Sequence, residues 1–505
     1  MQLFVQYSGR DKRTASVMSR ELDLLNIPHG EKLPDKTPVR IAAWGKLSAE
    51  QERVLTALPR RALLQPPEAV SLALREEDAR MQLAVHGIRT VPNSAGEAED
   101  RRARGSRPGG PYSYEYRVPV FHMEALAVYR QKNNLLLLPG TAGTKPSGFQ
   151  EVSLDQQTFH TQRAVRESVK AVYALGLDYG LVHIAIEPSG RTLVLRVDPS
   201  PQLDEPLAAL FAQAIGRYAD QLSQELARTE PAVLGSDPEF LLVNPRGKVV
   251  SASKYLEREG QVGCDAIVLS GHRVILPLAE LRPQPSSEPA QLAANLRRTM
   301  RTAARKIGDD SLAWIAGGMP LPGFPLGGHV HFSRCWLNSH LLRALDNYLA
   351  LPLMMIEGET TAQRRPRYGL LGDYRRQRHG GFEYRTLPSW LVSPEIALGV
   401  FALARIIADR YFELDQRPLD EMEAQENYYA GNKPALADAA ENLWADLEKQ
   451  PMYGEFARYL RPLREQSRRM EGWQELADFR RSWKIGPYGT ETGCRAGKHA
   501  IIEES

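Results

Sequence analysis

The sequence predicts two domains of different class, an α/β domain followed by an α+β domain, with a helical region at the C-terminal end. Three observations carry this. Up to about residue 225, strand-like and helix-like segments alternate. Beyond the polar linker ARTEPAVLG, strands with polar residues two apart are interspersed with long helices. The last ninety residues read as helical and end in a polar tail. With 505 residues the chain has room for two or three domains, each with its own core.

In the first domain, 1–228, strand LFVQY leads to helix TASVMSRELDLLNI, strand VRIAAW and helix AEQERVLTAL. The stretch 93–112, PNSAGEAEDRRARGSRPGGP, is rich in Gly, Pro, Ser and charge, has too little apolar surface to order itself and reads as a mobile loop. Strands YEYRVPVF and ALAVYRQ, helix TQRAVRESVKAVYALG, and strands LVHIAI and TLVLRV follow, and a helix over 205–228 closes the domain.

The second domain, 229–420, opens with strand EFLLVN, turn PRGK and strand VVSAS, a hairpin signal. Strand RVILPLAELRP precedes a helix from Pro289 to Ile307. GGHVHFS precedes a helix from Asn338, its predicted N-cap, to about Glu359. Strand FEYRTLPSW leads into helix PEIALGVFALARIIADRYF, and 421–505 is the helical extension. No internal repeat of fixed period is visible.

Composition narrows the function classes. A net charge of +3, from 64 basic and 61 acidic residues, gives no electrostatic reason for a nucleic-acid or membrane partner. Cys264, Cys335 and Cys494 are too few and too scattered for a disulfide framework or a thiolate cage. With no signal-peptide core and no apolar run of about 18 residues, a cytoplasmic protein is the expectation.

Polar residues recur two apart on predicted strands: Asp237 and Glu239, Glu280 and Arg282, His329 and His331, Glu383 and Arg385. Side chains two apart on a strand share a face, about 7 Å from one another. Any one such pair is ordinarily a strand's solvent face. Four of them, one preceded by two glycines, would fit one curved antiparallel sheet that aims them into a single concavity. Carboxylates with one imidazole suit Mg²⁺ or Mn²⁺, and the arginines suit anions. A zinc hydrolase built on His329-Val-His331 would need further histidine ligands, and no other histidine lies at a recognisable spacing. Asp265 reads either as a base or as a turn-forming residue, and His340 and His379 as solvated.

The ordered set GSDPEF, AELRPQP, GGHVHFS, RYGLLGDYR and FEYRTLPS resembles the carboxylate-amine ligases of the glutamine synthetase and glutamate-cysteine ligase superfamily, and most of all COOH-NH2 ligase type 2, the amidoligases. The resemblance spans about 230–420. It implies a glutamine-synthetase-like domain whose curved sheet holds two or three divalent ions, with ATP phosphorylating a carboxylate that an amine then attacks. By motif, Glu239 and Glu280 are similar to ligands of one ion, and His329 and Glu383 to ligands of the ion nearer the γ-phosphate. Asp237 stands where relatives often carry Glu. Arg385 resembles the arginine that meets the transferring phosphoryl group or the substrate carboxylate, and Arg375 a phosphate-binding arginine. His331 and Arg282 are similar to substrate-side residues. From the residues alone, His331 also reads as a buried histidine bonded to backbone and Arg375 as one surface arginine of several. The resemblance implies ATP and Mg²⁺ or Mn²⁺ as cofactors, carboxylate and amine substrates that are small molecules, peptides or proteins, and leaves a homo-oligomer open. The alternatives are a noncatalytic assembly protein that keeps the fold, or a tandem ligase with both halves active.

LLQPPEAVSLALREEDARMQLAVHGIRTVP, EYRVPVF and ALGLDYGLVHIAIEPSGRTLVLRVDPSPQL resemble ATP-grasp ligases over most of 60–205. That family carries Asp in the VHI strand and a Glu-x-Asn set on the last strand. Here these positions are His183, Arg196 and Asp198, and Arg196 opposes Mg²⁺ by like-charge repulsion. The loop 93–112 stands where the family places a lysine-bearing subdomain. The resemblance with these departures implies an ATP-grasp-like scaffold that has lost catalysis; the other reading is a divergent site in which Asp198 and Arg117 hold a nucleotide.

Overall fold

A computed structural model describes residues 2–8, 12–45, 47–91, 112–132, 148–153, 158–268 and 274–488. The polar loop 93–112, apart from Tyr112, and the tail with Cys494 lie outside the described residues. The chain divides into two compact units, Met1–Arg228 and Thr229–Ser505.

The first unit contains two sheets. Strands β1 (Leu3–Tyr7), β2 (His29–Gly30), β3 (Arg40–Trp44) and β4 (Leu63–Leu64) form a parallel sheet in the order β2-β1-β3-β4. Helices Lys12–Leu24 and Ala49–Thr56 make crossovers, the second begun by a capping box between Ser48 and Gln51. Strands β5 (Tyr114–Phe121), β6 (Glu124–Ala125), β7 (Tyr129–Lys132), β8 (Gln150–Glu151), β9 (Tyr179–Ile186) and β10 (Thr192–Asp198) form an antiparallel sheet, β10-β9-β5-β7-β8, with β6 on β5. One face of it is core. Tyr116, Val118, Val120, Val182 and Ile184 are buried together with Ala164, Ala171 and Val172 of helix Phe159–Ala174.

In the second unit the expected single curved sheet is two. Strands β11 (Val233–Ser236), β17 (Val330–Ser333), β19 (Phe382–Tyr384) and β18 (Tyr374–Arg376) form one sheet in the order β11-β17-β19-β18. Strands β12 (Glu239–Val243), β13 (Val249–Val250), β14 (Val262–Val268) and β15 (Val274–Leu281) form the other, β13-β12-β15-β14, with β16 (Ala313–Ile315) on β12. The physical reason lies in Asp237-Pro238. Proline cannot donate to a ladder, so β11 ends and β12 begins on either side of it. The sheets stay joined there: the Glu239 N–H donates to Gly327 O at 2.9 Å, just ahead of β17.

Two other expectations are corrected. The FEYRTLPSW strand is only Phe382–Tyr384, so Arg385 lies just past its end. The helix from Asn338 is Ser339–Leu345, a π-helical turn at Asp346–Ala350 and Leu351–Met354. Pro352 has no N–H for the ordinary ladder to Tyr348, and the bonding widens upstream of it. Asn338 does cap, its Oδ1 accepting the Leu341 N–H at 2.8 Å.

Helix Pro289–Ile307 buries Leu292, Leu296, Met300, Ala303 and Ile307, a stripe of helical period. Each fully buried Leu contributes roughly 2 kcal/mol. Helix Pro394–Arg410 is apolar almost throughout and buried, and Leu463 of helix Pro451–Arg469 packs on its Gly399. The C-terminal segment closes the unit: Phe479 N–H donates to Trp314 O and Trp483 Nε1 to Leu391 O.

Candidate active site

The polar pairs occupy the adjoining ends of these two sheets. Across the first sheet, His331 is opposite Gly235 on one side and Glu383 on the other, and Glu383 is opposite Arg375. Val330 and Phe332 point the other way into the core, so strand alternation holds here as the sequence predicts. Across the second sheet, Glu239 is opposite Glu280, which is opposite Gly263.

His329 is the hub. Its Nδ1 lies 3.2 Å from Asp237 Oδ1 and 3.1 Å from Glu383 Oε1, while His331 Nε2 lies 3.1 Å from Asp237 Oδ2. Glu383, only 1% exposed, also accepts from Arg385 Nε at 3.0 Å, Arg375 Nη1 at 3.3 Å and Gln377 Nε2 at 3.0 Å. Arg282 pairs with Glu280 and donates to the carbonyl of Gly260 at 2.9 Å. Glu239 accepts the Gly327 N–H at 2.6 Å, and Ser389 donates to its carbonyl at 2.5 Å.

Glycines make this approach possible. A Cβ on Gly327 would lie 2.4 Å from His329 Nε2, and one on Gly263 would lie 2.4 Å from Arg282 Nη1.

The four pairs singled out from the sequence and Arg375 are thus brought together. Asp265 is no turn residue: it sits at an irregularity in β14, its Oδ1 accepting the Ala266 N–H, close enough to raise Glu239 and Glu280. His340 is buried and bonded to Tyr411 O at 3.1 Å, which corrects its reading as solvated, whereas His379 is exposed. Two residues escaped the sequence reading. Asp373, 3.8 Å from Arg385, and Gln377 stand two before and two after Arg375, so the same two-apart rule, carried through GDYRRQ, finds both.

The electrostatics couple the carboxyls of this cluster to one another and to His329. Burial pushes the Glu239 carboxyl up to about 7, and Asp265 and Asp237 add to the rise against His329 and the Gly327 N–H. Burial likewise pushes Glu280 up to about 8, aided by Asp237, Glu239 and Asp265 against Arg282. Burial alone would lower His329, but Asp237 and Glu383 hold its proton and carry it up to about 10. Burial opposes ionisation of Asp237 and Glu383 too, yet His329 outweighs it and leaves both carboxyls below the usual range. One ligand atom from each of Asp237, His329 and Glu383 falls within 4.8 Å of the others. Carboxylates that repel one another beside the imidazoles of His329 and His331 have the donor chemistry that suits a hard divalent cation.

Residues 234–485 match the family model described as Phage phiEco32-like COOH.NH2 ligase-type 2. The chain is an ATP-dependent carboxylate-amine ligase. The match takes in both sheets of the ligase's second unit and runs through its C-terminal helices. Solved structures similar to the ligase include the ATP-grasp ligase PsnB complexed with minimal precursor, at 13% identity over 42% of this chain and 99% of that chain, TM-score 0.28. The macrocyclase MdnC bound with precursor peptide MdnA from Microcystis aeruginosa MRC is similar at 11% identity over 43% and 99%, TM-score 0.31. The D-alanine–D-alanine ligase from Bacillus anthracis is similar at 11% identity over 45% and 99%, TM-score 0.31. No curated protein matches the chain. Among the described residues, no helix is long and apolar enough to cross a membrane.

The shifted carboxyls predict a pH signature. Glu239 and Glu280 bind protons more tightly in the folded ligase than the ordinary carboxyl value of 4.5 allows, so folding stability falls as pH rises from about 4.5 through 7 to 8. His329 adds to the fall, since stability from its raised value is full below 6.5 and lost toward 10. His183, lowered to about 4 by burial and two arginines, works in the opposite sense below pH 6.5, so thermal melts in EDTA should decline from pH 6.5 to pH 8. Mn²⁺ should restore more stability at pH 8 than at pH 6. Equal Mn²⁺ stabilisation at both pH values would argue against cation binding by these carboxylates.

Proposed function

We propose that the second unit binds ATP with Mg²⁺ or Mn²⁺ and joins a carboxylate to an amine through an acyl phosphate. The observation that carries this reading is the cluster of half-buried Asp237 and His329 with buried Glu383, to which two guanidiniums, Arg375 and Arg385, are fastened. Asp237, His329 and Glu383 would hold one divalent ion, and Glu239 and Glu280 would contribute to another. Such ions supply charge neutralisation for a transferring phosphoryl group.

The chain's own residues do the positioning. Glu383 and Asp373 grip Arg385 from two sides, which aims its remaining N–H groups at an incoming oxyanion. Arg375, 57% exposed, reaches phosphate from the open side. A substrate carboxylate oxygen attacks the γ-phosphorus as the bond to ADP breaks. The amine nitrogen then attacks the acyl carbon, phosphate leaves with the C–O electron pair, and the amine loses a proton. His331 and Arg282, both partly exposed beside the acidic cluster, face the substrate side. The first unit serves as an ATP-grasp-like scaffold without turnover of its own, a reading supported by His183 and Arg196 at the positions of that family's metal ligands.

Hydroxylamine in place of the natural amine tests this, because an acyl phosphate is trapped as a hydroxamate. With a panel of candidate carboxylates, hydroxamate should form only with ATP and a divalent cation. It should be absent from Glu239→Gln and retained by Asp198→Ala. Hydroxamate formed equally without ATP would remove the acyl phosphate, and loss of it in a folded Asp198→Ala would make the first unit an active partner.

A further inference from the structure

The first unit carries a row of basic residues on the face of its antiparallel sheet opposite the core. Arg117 on β5 is directly opposite His183 on β9, and His183 is directly opposite Arg196 on β10. Neighbouring strands are spaced at about 4.8 Å, so the two arginines flank the imidazole with their Cα atoms about 10 Å apart. Their neighbours in sequence, Tyr116, Val118 and Val197, are buried, which directs Arg117 and Arg196 outward.

Both guanidiniums have neutral partners. Arg196 Nη2 lies 3.5 Å from His183 Nε2, and the Arg117 guanidinium lies 4.1 Å above the Phe149 ring. Neither arginine forms an ion pair among the described residues. Asp198 shares the face; its Oδ1 accepts the Ser200 N–H at 3.1 Å, and it is not among the groups that shift His183. His183 registers the same imbalance: burial, then Arg196, then Arg117 lower it to about 4, with no carboxylate offsetting them. At neutral pH the row is therefore two cations around an uncharged ring. A divalent cation placed there meets like charge from both sides, whereas an oxyanion meets two guanidiniums.

We propose that Arg117, His183 and Arg196 form an oxyanion site that takes a phosphate or carboxylate group of a ligand directly, with no divalent ion between ligand and protein. The site is independent of the reaction assigned to the second unit.

Calorimetry of the full chain in EDTA tests it, with inorganic tripolyphosphate and the peptide Glu-Glu-Glu as separate titrants. At least one probe should bind, and binding should weaken as salt rises. Arg117→Ala and Arg196→Ala should each cost about tenfold in affinity, the scale of one charge-assisted hydrogen bond. Tighter tripolyphosphate would assign a phosphate-bearing ligand, and tighter peptide a carboxylate-bearing one. Imidazole resonances, with His183 assigned by His183→Gln, should show its pKa moving up on binding, a shift that anion binding at Arg375 and Arg385 would not produce. Both arginines are exposed, so a folded double variant is expected and is checked by its melting curve. Unchanged affinity in that double variant, or no binding of either probe, would overturn the proposal.

Discussion

Glu383→Gln is expected to abolish nucleotide turnover while the second unit stays folded. Glu383 has four polar partners at 3.0 to 3.3 Å, namely His329, Arg385, Gln377 and Arg375, and all four present N–H groups to it. A glutamine keeps the shape but removes the negative charge and turns one oxygen into a donor that faces donors. Arg385 then loses the acceptor that orients it, and the Asp237 and His329 cluster loses a carboxylate. Removing one preorganised electrostatic group typically costs 10²- to 10³-fold, and losing a cation ligand and an arginine's anchor together should cost at least about 10³-fold in kcat. The unpaired donors cost about 1–3 kcal/mol against a typical domain stability of about 5–15 kcal/mol, so the fold survives. Phosphate release and hydroxamate formation measure the first effect, and circular dichroism with a thermal melt the second. Wild-type turnover in the variant would remove Glu383 from the site.

The largest structural effect from a single methyl group is expected at Gly328. A Cβ there would lie 2.2 Å from Pro388 O and 2.7 Å from Trp390 Cδ1 and Nε1. Nothing at the contact can swing away, since Trp390 is fully buried and its Nε1 donates to Gly328 O at 2.8 Å. The Gly328 N–H is also committed, to Leu387 O at 3.0 Å. Gly328→Ala must therefore separate the His329 segment from 387–390, where Ser389 holds the Glu239 carbonyl. The overpacking should cost on the order of 3 kcal/mol, and turnover should be lost with it because His329 and Glu239 shift together. Gly454→Ala is the control. Gly454 lies in helix Pro451–Arg469, where an added methyl would meet no atom within 4 Å, and the alanine should gain roughly 0.5–1 kcal/mol in helix stability. Melting curves and hydroxamate assays of the two variants side by side decide. A wild-type melt for Gly328→Ala would show that segment 387–390 yields, contrary to its packing.

Much of the site was legible because strand alternation is a local property. His329 and His331, and Glu383 and Arg385, flank residues whose side chains are core, and a period of two needs no partner to be recognised. The same holds for Asn338 as a cap and for helix Pro289–Ile307, whose stripe of Leu, Met and Ile repeats at helical spacing. Gln377 and Asp373 were within reach of that rule too, but surrounding arginines made their segment look like solvated surface. His340 was beyond it. A histidine inside a helix has no local signature that tells burial from exposure, and the Tyr411 carbonyl that receives it is seventy-one residues away.

By itself, then, the sequence determined which residue types share a face and where helices start, because backbone alternation and capping act within a few residues. Only the tertiary structure decided that Pro238 splits one expected sheet into two, that His329 sits between Asp237 and Glu383, and that Arg117 and Arg196 face each other across His183. Those outcomes depend on register between strands far apart in the chain. Register is set by how whole faces bury against a core, a free energy that no short stretch contains.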